Sequence, residues 1–187
     1  MESDGRSTAR GLTIFFTGLS GAGKTTLAEA LCVRLPQIDP RVVRLLDGDR
    51  VREHLSPGLG FSKPDRDLHV QRVGFIASEI TACGGIAICA AIAPYDDARR
   101  GVRALVEGVG AFVLIYVATP LDICERRDVK GLYARARAGQ IQAFTGVSDP
   151  YEAPADAEIV LDAARRSVSA TVDDLLGQLA SRGLIGM

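Results

Sequence analysis

The run Gly18-Leu19-Ser20-Gly21-Ala22-Gly23-Lys24-Thr25 satisfies the pattern G-x-x-x-x-G-K-[ST] at every fixed position, and it narrows what this chain can be more than any other feature. Before it stands Leu12-Thr13-Ile14-Phe15-Phe16-Thr17, a short run of β-forming apolar residues. After it, Lys24 to Leu35 carries alanine and leucine at helical spacing and stops before Pro36. Strand, glycine loop and helix in that order let backbone N–H groups wrap a polyphosphate at the positive end of a helix. A turn that merely joined strand to helix would explain the glycines but not Lys-Thr in register. Gly18, Ser20, Gly21, Ala22, Gly23, Lys24, Thr25 and Thr26 are therefore expected to hold the phosphates of ATP, with Lys24 on the β- and γ-phosphates and the Thr25 hydroxyl on Mg²⁺.

The rest of the chain keeps alternating. Val42 to Leu46 reads as a second strand that delivers Asp47-Gly48-Asp49 at its carboxyl end. Arg66 to Cys83 places Val70, Val73, Ala77 and Ile80 on one helical face and is closed by Gly84-Gly85. Ile86–Ile92 and Ala111–Val117 are apolar strand-like runs separated by a helix from about Asp96 to Val109. A short helix follows Pro120, Ile159-Val160-Leu161 reads as a last strand, and Val168, Val172, Leu175, Leu176 and Leu179 mark a closing helix. Between them, Lys130 to Gly146 is polar, contains glycine and has no clear period, which is the character of a lid. The expected fold is α/β: a three-layer P-loop kinase fold with a mostly parallel central sheet, a mobile lid, and ligands beyond the carboxyl ends of the strands. Residues 1–10 read as a flexible leader or linker and 11–187 as one domain.

Composition excludes several alternatives. With 47% hydrophobic and 24% charged residues and a net charge of −1, the chain is globular and carries no long basic stripe for nucleic acid. No apolar run approaches the roughly 20 residues that span a bilayer, so no membrane partner and a cytoplasmic location are expected. Cys32, Cys83, Cys89 and Cys124 form no C-x-x-C pair and read as free, buried thiols rather than a zinc site. His54 and His69 lack carboxylates at matching spacing and read as surface or pocket-edge residues.

Two function classes share the phosphate loop, small-molecule kinases and nucleotide-driven switches or motors. The N-K-x-D segment that reads guanine and a strand ending D-x-x-G are both absent, which favours a kinase. Asp47-Gly48-Asp49 at the end of the second strand lies where an acceptor should sit, and its glycine permits a tight turn presenting both carboxylates. A helix N-cap by Asp49 is the plainer alternative.

Further along stand Leu59-Gly60-Phe61-Ser62, Asp65-Arg66-Asp67, Arg72-Val73-Gly74, Ile92-Ala93-Pro94-Tyr95, Lys130-Gly131-Leu132-Tyr133, Arg135-Ala136-Arg137-Ala138-Gly139, Phe144-Thr145-Gly146 and Asp149-Pro150-Tyr151-Glu152. This ordered set, from about Gly11 to Leu179, closely resembles the adenylylsulfate kinase family. The resemblance implies an ATP- and Mg²⁺-dependent phosphorylation of the ribose 3′-hydroxyl of adenosine 5′-phosphosulfate (APS) in sulfate assimilation. It also implies a homodimer and an association, functional or covalent, with ATP sulfurylase. A kinase of the same fold acting on another small hydroxylated or nucleotide acceptor is the second reading.

Carried over by position, the resemblance puts Asp49, Arg52, Phe61, Arg66, His69, Ile92, Ala93, Lys130 and Phe144 around the acceptor, with Arg137 toward the donor nucleotide. Phe61 and Phe144 lie in glycine-flanked segments rather than on an apolar face, and their rings can sandwich an adenine. Arg52 and Arg66 offer forked donors for phosphosulfate oxygens. Lys24, Asp47 and Asp49 are the catalytic candidates: Asp47 orients the metal's water shell or takes the hydroxyl proton, and Asp49 is the alternative base. Three positions depart from the family pattern. His69 stands where asparagine is common, Ala93 replaces the serine of Ile-Ser-Pro-Tyr, and Asp96-Asp97 replace the arginine that usually follows the tyrosine.

Overall fold

A computed structural model describes residues 10–186, so the leader expected over 1–10 lies outside the described residues apart from Arg10. Five strands form one sheet in the order β2-β3-β1-β4-β5, where β1 is Leu12–Thr17, β2 Val43–Asp47, β3 Ile86–Ala90, β4 Ala111–Val117 and β5 Ile159–Leu161. Every neighbouring pair is parallel. Registers such as Asp47 opposite Ala90 and Phe16 opposite Ala90 bring the carboxyl ends of β1, β2 and β3 to one edge. The loops that leave that edge carry the motifs.

Alternation along the strands sorts side chains into two cores, as a sheet covered on both faces requires. On one face Leu12, Ile14, Phe16 and Ile115 pack with Leu27 and Leu31 of α1 (Lys24–Arg34) and Leu175 and Leu179 of α7 (Val168–Ser181). On the other, Phe15, Cys89 and Leu114 pack with Val70, Val73 and Ala77 of α3 (Lys63–Ala82) and Val102 and Val106 of α4 (Asp96–Glu107). Each fully buried Phe, Leu or Ile of these cores contributes roughly 1.5–3 kcal/mol of burial.

Three elements differ from the sequence expectation. A helix α2, Gly48–Leu55, begins directly at the end of β2, as the helix-cap alternative to a tight turn implied, though its cap is Asp47 rather than Asp49. Helix α3 starts three residues before Arg66 because Ser62 caps it, accepting the Asp65 N–H, and Pro64 suits its first turn. After α5 (Leu121–Arg127), the lid contains a short helix α6, Leu132–Arg137, entered through left-handed Gly131. Asp128 fixes it by accepting the Tyr133 and Ala134 N–H groups at 2.9 and 3.0 Å. Among the cysteines, Cys89 and Cys124 are buried and Cys32 is half-buried, whereas Cys83 is exposed just past the end of α3 and does not behave as the expected core residue.

Both ends of the described chain are tied to one buried ion pair. Arg41 holds Asp39 at 2.7 Å and donates to the carbonyls of Arg10 and Leu184, while Asp39 accepts the Gly186 N–H. The Arg41 guanidinium holds the Asp39 carboxyl down at about 2, against an ordinary 3.8. The stability this supplies is present above pH 3.8 and is lost as pH falls toward 2. Asp39→Ala strands the buried guanidinium, so chemical denaturation at neutral pH is expected to find a loss of about 3–5 kcal/mol. A change under about 0.5 kcal/mol, the range of ordinary surface substitutions, would contradict the clamp.

Candidate active site

Between β1 and α1 the chain passes through Gly18, Gly21 and Gly23 at φ of 150°, 71° and 105°. At Gly18 a Cβ would lie 2.7 Å from the Val117 carbonyl oxygen, so space as well as backbone angle demands glycine there. The carbonyls of residues 18 to 22 all accept hydrogen bonds from side chains. Lys24 Nζ donates to Gly18 and Leu19 at 2.9 and 2.7 Å, Tyr133 to Ser20 at 2.9 Å, Arg127 to Gly21 at 3.4 Å and Thr119 to Ala22 at 2.8 Å. In a trans peptide the C=O and the following N–H point opposite ways, so anchoring the carbonyls turns the N–H groups toward the other side of the loop. One of these, Ala22 N–H, closes a turn on the Leu19 carbonyl.

Gly23 begins α1 without a side-chain cap, which leaves the first N–H groups of the helix to an outside acceptor. Lys24 is buried, and among the described residues its ammonium is bonded to carbonyls rather than to a carboxylate. Burial pulls it down to about 8 from 10.5, a cost that an adjoining anion would reverse. A polyphosphate fits this loop: glycine backbone, uncapped helix start and a buried cation meet at one place. Thr25 and Thr26 are exposed at its mouth, Ser20 is half-buried and Ala22 buried.

Thr25 Oγ1 donates to Asp47 Oδ2 at 2.9 Å, joining the phosphate loop to the end of β2. The other Asp47 oxygen accepts the Asp49 and Arg50 N–H groups at 2.9 and 3.2 Å, so Asp47, not Asp49, is the cap of α2. Gly48 is pressed against the end of β3, where an added Cβ would lie 3.0 Å from the Ala90 carbonyl oxygen. Asp49 is exposed, and its carboxylate pairs with Lys130 across the cleft. Hydroxyl and carboxylate oxygens of this kind suit a hard cation that keeps part of its water shell, such as Mg²⁺.

Beyond Asp49 opens a cavity of about 480 Å³ lined in part by Asp49, Arg52, Ser56, Leu59 and Lys130. Arg52 and Arg66 flank Phe61, their guanidinium carbons 4.9 and 5.4 Å from its ring centre. Arg66 is buried and bridges two segments, donating to the Phe61 carbonyl at 2.7 Å and the Ala143 carbonyl at 2.6 Å. Phe61 itself is 53% exposed. The two aromatic residues therefore differ, because Phe144 is only 8% exposed and belongs to the main core. Its burial corrects the reading of Phe144 as a loop residue clear of the core. The lid folds back onto the phosphate loop, and the Tyr133 ring meets Phe144 edge-on at 5.0 Å and 81°.

Ile92 and Ala93 follow β3 beside the loop, and the Thr17 hydroxyl donates to the Ile92 carbonyl at 2.6 Å. Ala93 is held at φ 43°, a left-handed conformation uncommon for alanine, with its carbonyl bound by buried Arg99 at 2.8 Å. Arg137 is exposed and pairs with Glu125 on α5. His54 is exposed, whereas His69 is not a surface residue: it is buried inside α3 with Nδ1 3.0 Å from Oγ of Ser56, which lines the cavity. Sequence reasoning passed over Arg127, Tyr133 and Thr119 as loop anchors, and Ala163, whose carbonyl Arg127 also holds at 3.2 Å. Tyr133 was quoted only within its motif, and no spacing marks the other three.

A family model described as adenylylsulphate kinase matches residues 10–162. An adenylyl-sulfate kinase of Synechococcus sp. (strain JA-2-3B'a(2-13)) is 49% identical over 176 residues, covering 94% of this chain and 98% of that protein. A sulfate adenylyltransferase of Gibberella zeae is also 49% identical, over 94% of this chain but 31% of its own length, so the chain spans about a third of that relative. The solved structure of an APS kinase of Mycobacterium tuberculosis in complex with AMPPNP and APS matches with a TM-score of 0.86 at 37% identity, covering 91% of this chain and 98% of that one.

Burial, reinforced by the nearby Arg52 charge, depresses His69 to about 4, against the opposing pull of the Gly48 backbone and Asp49. The unfolded chain takes up this proton near pH 6.5 and the folded one only near 4, so stability is full above 6.5 and falls as pH drops toward 4. Denaturation midpoints measured from pH 7 to 4 are expected to show this loss in the parent chain and a flatter profile in His69→Asn. Parallel profiles would contradict the buried, neutral imidazole.

Proposed function

This chain belongs to the adenylylsulphate kinase family, and we propose that it transfers the γ-phosphoryl group of ATP to the ribose 3′-hydroxyl of APS, giving 3′-phosphoadenosine 5′-phosphosulfate and ADP. The observation that carries this reading is the bond from Thr25 to Asp47, which joins a polyphosphate cradle to an acidic cleft flanked by Arg52, Arg66 and Phe61. Donor and acceptor sites then share a wall.

In this mechanism Lys24 and the N–H groups of residues 18–26 hold the donor phosphates and neutralise charge on the transferring oxygens. The Thr25 hydroxyl, with Asp47 beside it, would hold Mg²⁺, which when bound would supply further neutralisation of the phosphate oxygens. Asp47 has both oxygens engaged, so its part is to orient Thr25. Asp49 has an exposed carboxylate and receives the hydroxyl proton as the new O–P bond forms and the bond to the β-phosphate oxygen breaks. Lys130, now paired with Asp49, exchanges that contact for the transferring group. Ala93 has no hydroxyl to phosphorylate, so transfer is direct.

On the acceptor, Arg52 and Arg66 bind phosphosulfate oxygens, while Phe61 and Phe144 contact the adenine. Ile92, Ala93 and His69 shape the wall behind it, and Arg137 belongs to the donor side of the lid. Arg127 and Ala163, which meet beside Gly21, add to the donor side. The same reading includes residues 11–187 as one kinase domain, a cytoplasmic location, a homodimer, and cooperation with an ATP sulfurylase. Four free thiols agree with a reducing compartment, and among the described residues no helix is long and apolar enough to cross a membrane.

Removing the buried ammonium tests the donor half of the site. In an assay of ADP release on adding APS, Lys24→Ala is expected to lower turnover by about 10²–10³-fold, the cost of losing one preorganised charge-stabilising donor. Near-normal turnover with unchanged ATP affinity would contradict the role of Lys24.

A further inference from the structure

The turn that leaves β3 is strained at one residue. Ala93, 2% exposed, stands at φ 43°, where the Cβ of alanine is crowded, and it precedes Pro94, a position that favours extended backbone. Such a conformation persists only where its surroundings hold it. Here they do so through the Ala93 carbonyl. Arg99, buried in the first turn of α4, donates to that oxygen through Nη1 at 2.8 Å. The Thr17 hydroxyl, which donates to the Ile92 carbonyl at 2.6 Å, lies 3.4 Å from the same Ala93 oxygen.

The rest of the guanidinium reaches the segment that follows the lid. Nη2 donates to the Glu152 carbonyl at 2.8 Å and to Asp96 Oδ1 at 3.2 Å, while Nε is buried without a partner among the described residues. A buried donor left unpaired is costly, so the fork is placed for its two carbonyls rather than for its own satisfaction. Glu152 closes the clasp, its carboxylate accepting the Asp96 N–H at 2.7 Å and its own N–H donating to the Pro94 carbonyl at 2.9 Å. A rigid, planar cation suits this junction, because one group must meet carbonyls of two segments at once. On the lid side the same device recurs: Ala143 stands at φ 53°, and its carbonyl accepts from buried Arg66 at 2.6 Å.

We infer that Arg99 is a positioning residue for the acceptor: by holding the Ala93 carbonyl it keeps the Ile92–Pro94 turn in the strained conformation that forms a wall of the acceptor cleft. The inference rests on the assignment of Ile92 and Ala93 to that wall given above. Arg99 acts through the backbone at 93 and touches neither nucleotide. Without the anchor, alanine relaxes toward extended backbone and the wall shifts. Glycine adopts positive φ at no steric cost, so a glycine at 93 depends far less on Arg99.

Steady-state kinetics with APS varied at saturating ATP, run on the full chain as parent, Arg99→Lys, Ala93→Gly and the double variant, test this. Lysine keeps the buried charge but cannot fork to both carbonyls. With alanine at 93, Arg99→Lys is expected to raise KM for APS about fivefold or more and to change kcat by less than about twofold, as release of one strained backbone residue implies. Beside Ala93→Gly the same substitution should raise KM by less than about twofold, because the strain it releases is no longer there. Calorimetric affinity of Arg99→Lys for AMPPNP should stay near the parent value. Thr17→Val removes the neighbouring hydroxyl without disturbing a buried charge, so it should raise KM for APS in the same sense, and it decides the matter if Arg99→Lys fails to fold. A parental KM in Arg99→Lys or in Thr17→Val, an equal rise in KM with alanine and with glycine at 93, or equal weakening of APS and AMPPNP would overturn the positioning role. If the parent does not turn over APS at all, the acceptor assignment itself falls, an outcome distinct from APS turnover that is indifferent to Arg99.

Discussion

Anchoring of the loop carbonyls at residues 18 to 22 is the interaction on which the rest of the site depends. Four side chains from separate parts of the chain, Lys24, Thr119, Arg127 and Tyr133, hold those five oxygens. A glycine loop left to itself would sample many conformations, since glycine admits both signs of φ. Fixing each peptide plane by its oxygen selects one of them and aims the N–H groups to one side. The anion site is therefore made from the rear, by residues that need not touch the anion.

One of the four anchors is also the charge. Lys24 is held among carbonyl dipoles in a buried position that lowers its proton affinity, so the loop is poised to gain when phosphate oxygens arrive. From there the architecture spreads through two further links, Thr25 to Asp47 and Tyr133 to Phe144. The first reaches the end of β2 and the acidic cleft. The second reaches the lid, which is packed into the main core rather than standing apart from it.

Much of this was legible in the sequence because it follows from strict local rules. The bounds of β1, β4 and β5 match the apolar runs at Leu12–Thr17, Ala111–Val117 and Ile159–Leu161, since buried parallel strands need uninterrupted apolar residues. The phosphate loop was legible because its glycines, lysine and threonine answer to one chemistry. The cap of helix α2 was misplaced at Asp49 because Asp47 both ends a strand and caps a helix, leaving no loop between them. Phe144 was misplaced because its neighbours Thr145 and Gly146 look like loop, while its burial comes from Tyr133, distant enough that no periodicity links them. His69 lies on the inner side of α3, and only the three-dimensional partner Ser56 explains a polar residue there. Local pattern fixes elements, and the contacts that aim side chains into the site cross between them.

On this reading the cradle and the acidic cleft together serve APS. Its most direct test is a steady-state comparison of kcat/KM for phosphoryl transfer from ATP to APS, AMP, shikimate and gluconate, with the product position established for the best acceptor. APS is expected to exceed the others by several orders of magnitude, with the new phosphate on the ribose 3′-oxygen. Equal or better transfer to any of the other three, or a phosphate elsewhere on APS, would contradict it.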